Sequence, residues 1–415
     1  MLEVIQSIMD LGAVVMLPLV MTILGLVFRM KVGKAVKAGL MIGIGFAGLQ
    51  LVIGLLMTSV EPAITYYKGL DTAGFTTVDV GWAAMGASVW SVPFAALAIL
   101  LIVLVNLLMI ALKWTNVLNV DIWNYIHFLI PGTLAYALTG SFWVGLIVTV
   151  VLSVVSLVVG RIIAPYWQKY YGLEGTTCTT FSFITLAWPV GVLVDKVIGS
   201  IPGLKKIDLS MDKVGDRLGF FGDTAIIGLL VGAFLGVLTG QPWQGVLTMG
   251  MGIAATLVLL PRMVSVMMEG LSAVGTGAHE FMKRRVGKDR ELTIGMDVAL
   301  ALGDPTAITT TVLMIPLAIL YAFIIPGMTY FPVGLLTVIV YMVPMISLGC
   351  RGNLFRTIVG SALFLLFVQF AANLFAPEAT EMMRATGVQV DGVVTDGFFG
   401  FNLANVVIST LNRIF

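Results

Sequence analysis

The feature that most constrains this chain is a succession of apolar stretches that fills it from end to end. Runs of about 18 or more mainly apolar residues, enough to cross a hydrocarbon core as a helix, recur near 11–28, 38–60, 92–112, 122–138, 139–164, 181–203, 218–240, 244–268, 308–326, 333–350 and 354–376. A shorter run covers 398–412. These runs are too long for barrel strands and lack two-residue alternation. Lipid offers no partner to free backbone N–H and C=O groups, so such runs fold as helices. Composition agrees: 59% of the residues are hydrophobic and 11% charged, where a soluble domain carries roughly a quarter charged. The fold class expected is an all-α polytopic membrane protein with about 10–12 transmembrane helices.

The same composition excludes several functions. A net charge of +1 leaves no nucleic-acid footprint. Cys178 and Cys350 stand alone without a C-x-x-C partner, and His127 and His279 cannot build a metal cluster by themselves. No cofactor is expected. The start, M-L-E-V-I-Q-S-I-M-D, lacks the basic segment of a cleavable signal. No hydrophilic stretch is long enough for a soluble catalytic domain, so chemistry of that kind is expected from other chains.

A short phrase occurs twice, half a chain apart. Residues 79–86 read D-V-G-W-A-A-M-G and residues 297–304 read D-V-A-L-A-L-G-D. Each leads into a run containing L-A-I-L, at 97–100 and 317–320. Other matches keep the same order: Gly25, Gly39 and Ile42 with Gly236, Gly250 and Ile253; Gly132, Leu134, Gly140 and Ser141 with Gly352, Leu354, Gly360 and Ser361; Ala164-Pro165 with Ala376-Pro377. The common order predicts a duplication, 1–210 and 211–415.

Loop charge predicts that the halves are inverted. Arg29, Lys31, Lys34 and Lys37 occupy the first loop without an acid. The positive-inside rule makes that loop cytoplasmic and the N-terminus external. The matching loop of the second half, T-G-Q-P-W-Q at 239–244, is uncharged. Residues 61–79 hold Glu61, Lys68, Asp71 and Asp79, whereas their counterparts at 279–291 hold Lys283, Arg284, Arg285, Lys288 and Arg290. Residues 161–174 are slightly basic, whereas 376–396 carry Glu378, Glu381, Asp391 and Asp396 against Arg384. Equivalent loops therefore fall on opposite sides, the plan of carriers that bind their solute near the midplane. The connector 201–217 has the apolar spacing of an amphipathic surface helix.

Polar groups inside spans are costly and face a cavity or a partner. Asp304, Pro305 and Thr306 lie in A-L-G-D-P-T-A-I-T-T-T, which is too rich in Gly, Pro and Thr for a continuous helix. A re-entrant hairpin is expected there, its tip offering a carboxylate and hydroxyls to substrate. Asp before Pro also suits a helix N-cap, and the two roles are compatible. The first-half counterpart is M-G-A-S at 85–88, with Gly86 and Ala87. Asp121, Asn124 and His127 share one broad helix face in V-D-I-W-N-Y-I-H-F, flanked by Trp123 and Tyr125. They read equally as a sugar site or as a helix end at headgroup level. Thr177 and Thr179 in G-T-T-C-T-T-F-S either line a site or cap a helix. Gln50 and Arg262 are polar residues in the paired early helices. Asp79 and Asp297, present in both halves, read equally as caps and as ligands. A carrier for a polar, uncharged solute and a membrane-embedded enzyme are the two classes considered. The enzyme would need clustered His, Asp or Cys at depth.

Six phrases in order, D-V-G-W at 79–82, D-I-W-N-Y-I-H-F at 121–128, L-P-R-M-V at 260–264, M-E-G-L at 268–271, A-L-A-L-G-D-P at 299–305 and R-G-N-L-F-R at 351–356, resemble the membrane component (IIC) of galactitol-type phosphotransferase systems, in the ascorbate–galactitol superfamily. The resemblance covers essentially the full chain. It implies a bacterial inner-membrane permease that carries a polyol or sugar across. A separate IIB protein then phosphorylates the substrate through a phosphocysteine, and IIB is recharged by IIA. The permease is not itself the enzyme, and neither Cys178 nor Cys350 is the phosphorylated residue. The resemblance also implies a homodimer in lipid, with gate or dimerisation helices at 11–60 and 218–272. The core halves at 75–203 and 292–412 would carry two re-entrant hairpins, with tips near 85–88 and 303–306. This chain departs from the family at position 304, where A-L-G-H-P is expected and Asp stands instead. The substrate is therefore open among galactitol, another hexitol, a pentitol and a sugar. The rival is an ion-coupled secondary transporter of the same architecture.

Overall fold

The computed structural model of the protein describes residues 12–69, 75–119, 121, 123–207, 209, 223–285, 292–332, 334–388, 390 and 392–414. The described residues begin with two helices, α1 (Gly12–Val27) and α2 (Val32–Lys68). Then follow β1 (Thr77–Asp79), α3 (Gly81–Ser88), α4 (Ala95–Ala111), β2 (Val117–Asn119), α5 (Trp123–Thr139), α6 (Phe142–Tyr171) and β3 (Thr176–Cys178). A π-helical turn, Phe183–Ala187, runs into α7 (Trp188–Ser200). The later part holds α8 (Thr224–Leu238), α9 (Trp243–Arg285), β4 (Thr293–Met296), a 3-10 turn (Val298–Ala301), α10 (Pro305–Ile324), α11 (Leu335–Gly349), α12 (Leu354–Leu374), α13 (Ala376–Ala385), β5 (Val393–Thr395), α14 (Gly397–Phe401) and α15 (Leu403–Ile414).

The helical class is as expected, and the number of full-length spans is smaller. Among the described residues, six helices are long and apolar enough to cross a membrane: Val32–Ala63, Phe142–Tyr171, Phe183–Ser200, Trp243–Gly277, Pro305–Ile324 and Leu354–Leu374. Four more apolar runs form helices of 10–17 residues, short of the roughly 20 that a span needs.

Those strands are a departure from an all-helical chain. β4 lies between β2 and β3, all parallel, with Leu118 facing Ile294 and Thr177 facing Gly295 in register. β1 pairs in parallel with β5, Asp79 opposite Thr395, and Thr77 also bridges Tyr330. Non-helical backbone at membrane depth survives only where protein satisfies its N–H and C=O groups. Strands from distant parts of the sequence do that here. Side chains finish the edge: Asn106 on α4 donates to Val117 O at 2.8 Å and accepts from Asn119 N at 2.9 Å, standing in for a further strand.

Helices α1, α2, α8 and α9 pack largely on one another. Close approach of α2 and α9 depends on small residues, as in other membrane helix pairs. A Cβ at Gly45 would meet the Met267 amide nitrogen at 2.5 Å, and one at Gly252 would collide with Ser59. The remaining elements surround the two small sheets. The expected connector helix over 201–217 falls mostly outside the described residues; within them, Leu204–Lys206 form a 3-10 turn. Glu3, Asp10, Asp71, Lys288, Arg290 and Asp391 also fall outside.

Candidate functional site

Where the two sheets deliver their chain ends, aromatic rings enclose a cavity of about 170 Å³. Its walls come from many elements: Phe46 and Gln50 of α2, Trp82 of α3, Trp123 and His127 of α5, Phe183 of the π-helical turn, and Phe398 and Phe401 of α14. Asp297, Val298 and Ala299 enter just beyond β4, and Val338 and Tyr341 from α11. The rings support each other. Trp82 packs on Phe398 at 4.2 Å, His127 lies 4.9 Å from Phe398, and Phe183 stacks on Phe401 at 5.1 Å. Rings held this way cannot fold into the cavity and fill it.

Two polar wall residues, His127 and Asp297, are held in place by hydrogen bonds. Ser182 Oγ lies 2.8 Å from His127 Nδ1. The His127 carbonyl accepts from Asn402 Nδ2 at 3.0 Å, which ties α5 to the start of α15. Nε2 of His127 has no hydrogen-bond partner among the described residues, so the ring keeps one polar edge for a ligand. Asp297 accepts from Ala299 N at 2.8 Å through Oδ1 and from Thr180 Oγ1 at 2.9 Å through Oδ2. Thr180 Oγ1 in turn accepts from Val298 N, and it also lies 2.9 Å from Asn124 Oδ1. One hydroxyl proton thus faces two acceptors, and a carboxylate with a shared donor retains capacity for a ligand hydroxyl. No Lys or Arg lines this cavity among the described residues. The arrangement suits a neutral molecule with apolar C–H faces and hydroxyl groups.

The residues singled out in the sequence are distributed as follows. Gln50 and His127 reach the cavity. Asp121 lies behind it and accepts from Trp123 N and Asp297 N, both at 3.1 Å, so it orients Asp297. Asn124 donates to Asn119 Oδ1 and to Thr179 Oγ1. Thr177 donates to Gly160 O at 2.6 Å, and Thr179 to Met296 O at 3.4 Å. Gly86 lies in α3, where an added Cβ would make ordinary contact with Ile126 and Trp82; Ala87 follows it in the same helix.

Asp304 is the N-cap of α10, with Pro305 at the first helical position. Its carboxylate accepts from Thr306 N at 3.2 Å, Ser347 Oγ at 2.5 Å and Tyr170 OH at 3.3 Å. Thr306 Oγ1 donates to Gly352 O. These groups tie α10 to α6 and α11, away from the residues that line the cavity. Arg262 is exposed on α9.

Sequence reasoning did not single out Phe46, Trp82, Phe183, Tyr341, Phe398 or Phe401 as site residues. A usable signal existed: aromatics follow the polar strand ends directly, as in T-F-S-F at 180–183 and D-G-F-F-G-F at 396–401. Cys178 and Cys350 are buried and free.

The chain has relatives that bear on this site. A family model described as "PTS system sugar-specific permease component" (EIIC-GAT) matches residues 7–392. The PTS system galactitol-specific EIIC component of Escherichia coli strain K12 is 35% identical over 395 residues, covering 92% of this chain and 87% of its own. The protein of the same description from Escherichia coli O157:H7 matches to the same extent. A putative permease IIC component of Escherichia coli strain K12 is 31% identical over 407 residues, covering 96% of this chain and 93% of its own. A match of that extent, on a multi-pass helical chain, makes this protein a member of the sugar-specific permease (IIC) family of the phosphotransferase system.

Proposed function

We propose that the protein carries galactitol, or a closely related polyol or sugar, across the bacterial inner membrane by alternating access. A separate IIB protein, charged by IIA, then phosphorylates the substrate on the inner side. As a permease component the chain is not itself the phosphoryl-transferring enzyme. The observation that carries the proposal is the cavity: stacked rings, one carboxylate (Asp297), one imidazole edge (His127), one amide (Gln50) and no lining cation. A polyol offers C–H faces to the rings and hydroxyls to the polar groups. Two of the relatives, from Escherichia coli strain K12 and O157:H7, are galactitol-specific components.

In this reading the substrate contacts are Gln50, His127 and Asp297. Asp121, Asn124, Thr177 and Thr179 frame them. Asp304, Pro305 and Thr306, with Gly86 and Ala87, shape the turns of the two re-entrant segments. Residues 1–210 and 211–415 form two inverted repeats. Support comes from the order of elements after α1 and after α8, and from the way each part's first strand pairs with strands of the other. Helices within 11–60 and 218–272 form the dimerising gate of a homodimer in lipid. The rest moves past them as a core, and the N-terminus lies outside.

The test is direct binding of labelled galactitol to the purified protein. Asp297→Asn and His127→Ala are each expected to weaken binding by about tenfold or more, the size of a lost hydrogen bond involving a charged or buried group. Asp304→Ala should leave affinity within about twofold, since a cap acts on helix stability rather than on the ligand. Unchanged affinity in both of the first two variants overturns the assignment. Uptake that persists without phosphoenolpyruvate but collapses with the proton or sodium gradient would identify an ion-coupled transporter instead.

A further inference from the structure

A second cavity lies on the far side of α2 from the substrate cavity. It has a volume of about 600 Å³. Arg29, Lys31, Lys34 and Lys37 line one wall, from the α1–α2 turn and the first turns of α2, and Glu269 and Glu280 of α9 line the other. Four cationic side chains against two acidic ones leave the pocket net positive. Among the described residues, none of the four cations is engaged in an ion pair. Arg29 takes a left-handed backbone, φ 59°, which folds the turn so that its cations share one recess with Lys34 and Lys37. Gly270, Ala273 and Gly277 of α9 complete its lining.

An apolar track begins beside the pocket. Val36, Leu40 and Ile44, spaced i, i+4 and i+8 on α2, are all exposed. They continue the neighbouring face of the helix that carries Lys34, Lys37 and Met41 into the cavity. A recessed cationic pocket opening onto an exposed apolar helix stripe has the shape of an amphiphile. We propose that this pocket binds the phosphate-bearing headgroup of an anionic phospholipid, with an acyl chain lying along Val36, Leu40 and Ile44. Basic pockets between membrane helices recognise such headgroups, and the attraction near the surface is about fivefold per Lys or Arg. Free phosphate would use the cations but not the stripe, and an acidic protein surface would fit a flat patch better than a recess.

The experiment reconstitutes the protein in phosphatidylcholine alone and in an equimolar mixture of phosphatidylcholine and phosphatidylglycerol, then measures the lipid retained by native mass spectrometry. The wild-type protein is expected to retain phosphatidylglycerol in preference to phosphatidylcholine. Lys34→Gln with Lys37→Gln is expected to lower that retention roughly 25-fold, the product of about fivefold for each charge. The control pair Lys205→Gln and Lys206→Gln removes two exposed lysines from another turn, and should leave retention as in the wild type. An equal loss in the control pair overturns the proposal, because surface charge in general would then be responsible. Equal retention by the wild-type and Lys34/Lys37 proteins also overturns it. So does displacement of the lipid by inorganic phosphate at equal concentration, which would mark a free-phosphate site. Unchanged retention, coupled with loss of uptake when the soluble phosphotransferase proteins are supplied, would show that an acidic protein docks there instead.

Discussion

Asp79 accepts four hydrogen bonds. Gly81 N reaches Oδ1 at 3.0 Å, while Tyr330 OH, Gly334 N and Leu335 N reach Oδ2 at 2.9, 2.7 and 3.2 Å. Removing the carboxylate strands several donors in a poorly solvated interior, at about 1–3 kcal/mol for each one orphaned. Asp79→Ala should therefore lower the thermal midpoint of the purified protein sharply, whereas Asp79→Asn, which keeps one acceptor oxygen, should recover part of the loss. A melt of Asp79→Ala that matches the wild type would refute this scaffold role. Asp79 ends β1 and Asp297 directly follows β4, yet Asp297 lines the cavity and Asp79 does not. The sequence could not separate the two, because both open the same phrase. The difference lies in their partners: Asp79 accepts from three backbone amides and a phenol, whereas Asp297 accepts from one backbone amide, Ala299 N, and from one hydroxyl that also faces Asn124. His127 and Gln50 were legible because polar side chains in apolar runs need a reason. Phe398 and Trp82 were not, because aromatic residues are ordinary in a membrane chain.

Strands of three or four residues carry most of the organisation at the scale of elements. They are too short for two-residue alternation to register, and β2, β3 and β4 are buried at every position. Pattern reading therefore saw only polar breaks between helices. The helices were legible because lipid leaves no other fold for runs of that length. Asn106 offers a test of the strand edge. Asn106→Ala removes its bonds to Val117 O and Asn119 N, and is expected to cost about 1–3 kcal/mol. The loss should appear as faster hydrogen exchange at the amides of 117–119. Exchange there that stays as slow as in the wild type would mean that another group closes the edge.

Across the whole molecule the two small sheets join distant parts of the chain. β4 from the later part is held between β2 and β3 of the earlier part, and β1 from the earlier part pairs with β5 and bridges Tyr330 of the later one. Neither part can complete its own backbone bonding. Chains 1–210 and 211–415, expressed together, are expected to purify as a complex, and each expressed alone should be lost to degradation or aggregation. Stable recovery of either half by itself would count against this mutual dependence. The repeated phrase in the sequence hinted at two related parts, but nothing in it revealed that their strands interleave. Parallel pairing across more than a hundred residues leaves no local trace.

That interleaving sets a schedule for biosynthesis. When β3 emerges, the slot between β2 and β3 stands empty, and it closes only when Thr293–Met296 arrive. Roughly 115 residues separate Cys178 from Thr293, which at about 5–20 residues per second takes some 6–23 seconds. Over that interval Thr176, Thr177 and Asn119 hold unpaired backbone groups within or beside the bilayer. A nascent chain in this state needs the insertion machinery to shelter it, and a synonymous change that slows translation between β3 and β4 should lower the yield of folded permease without altering a single residue.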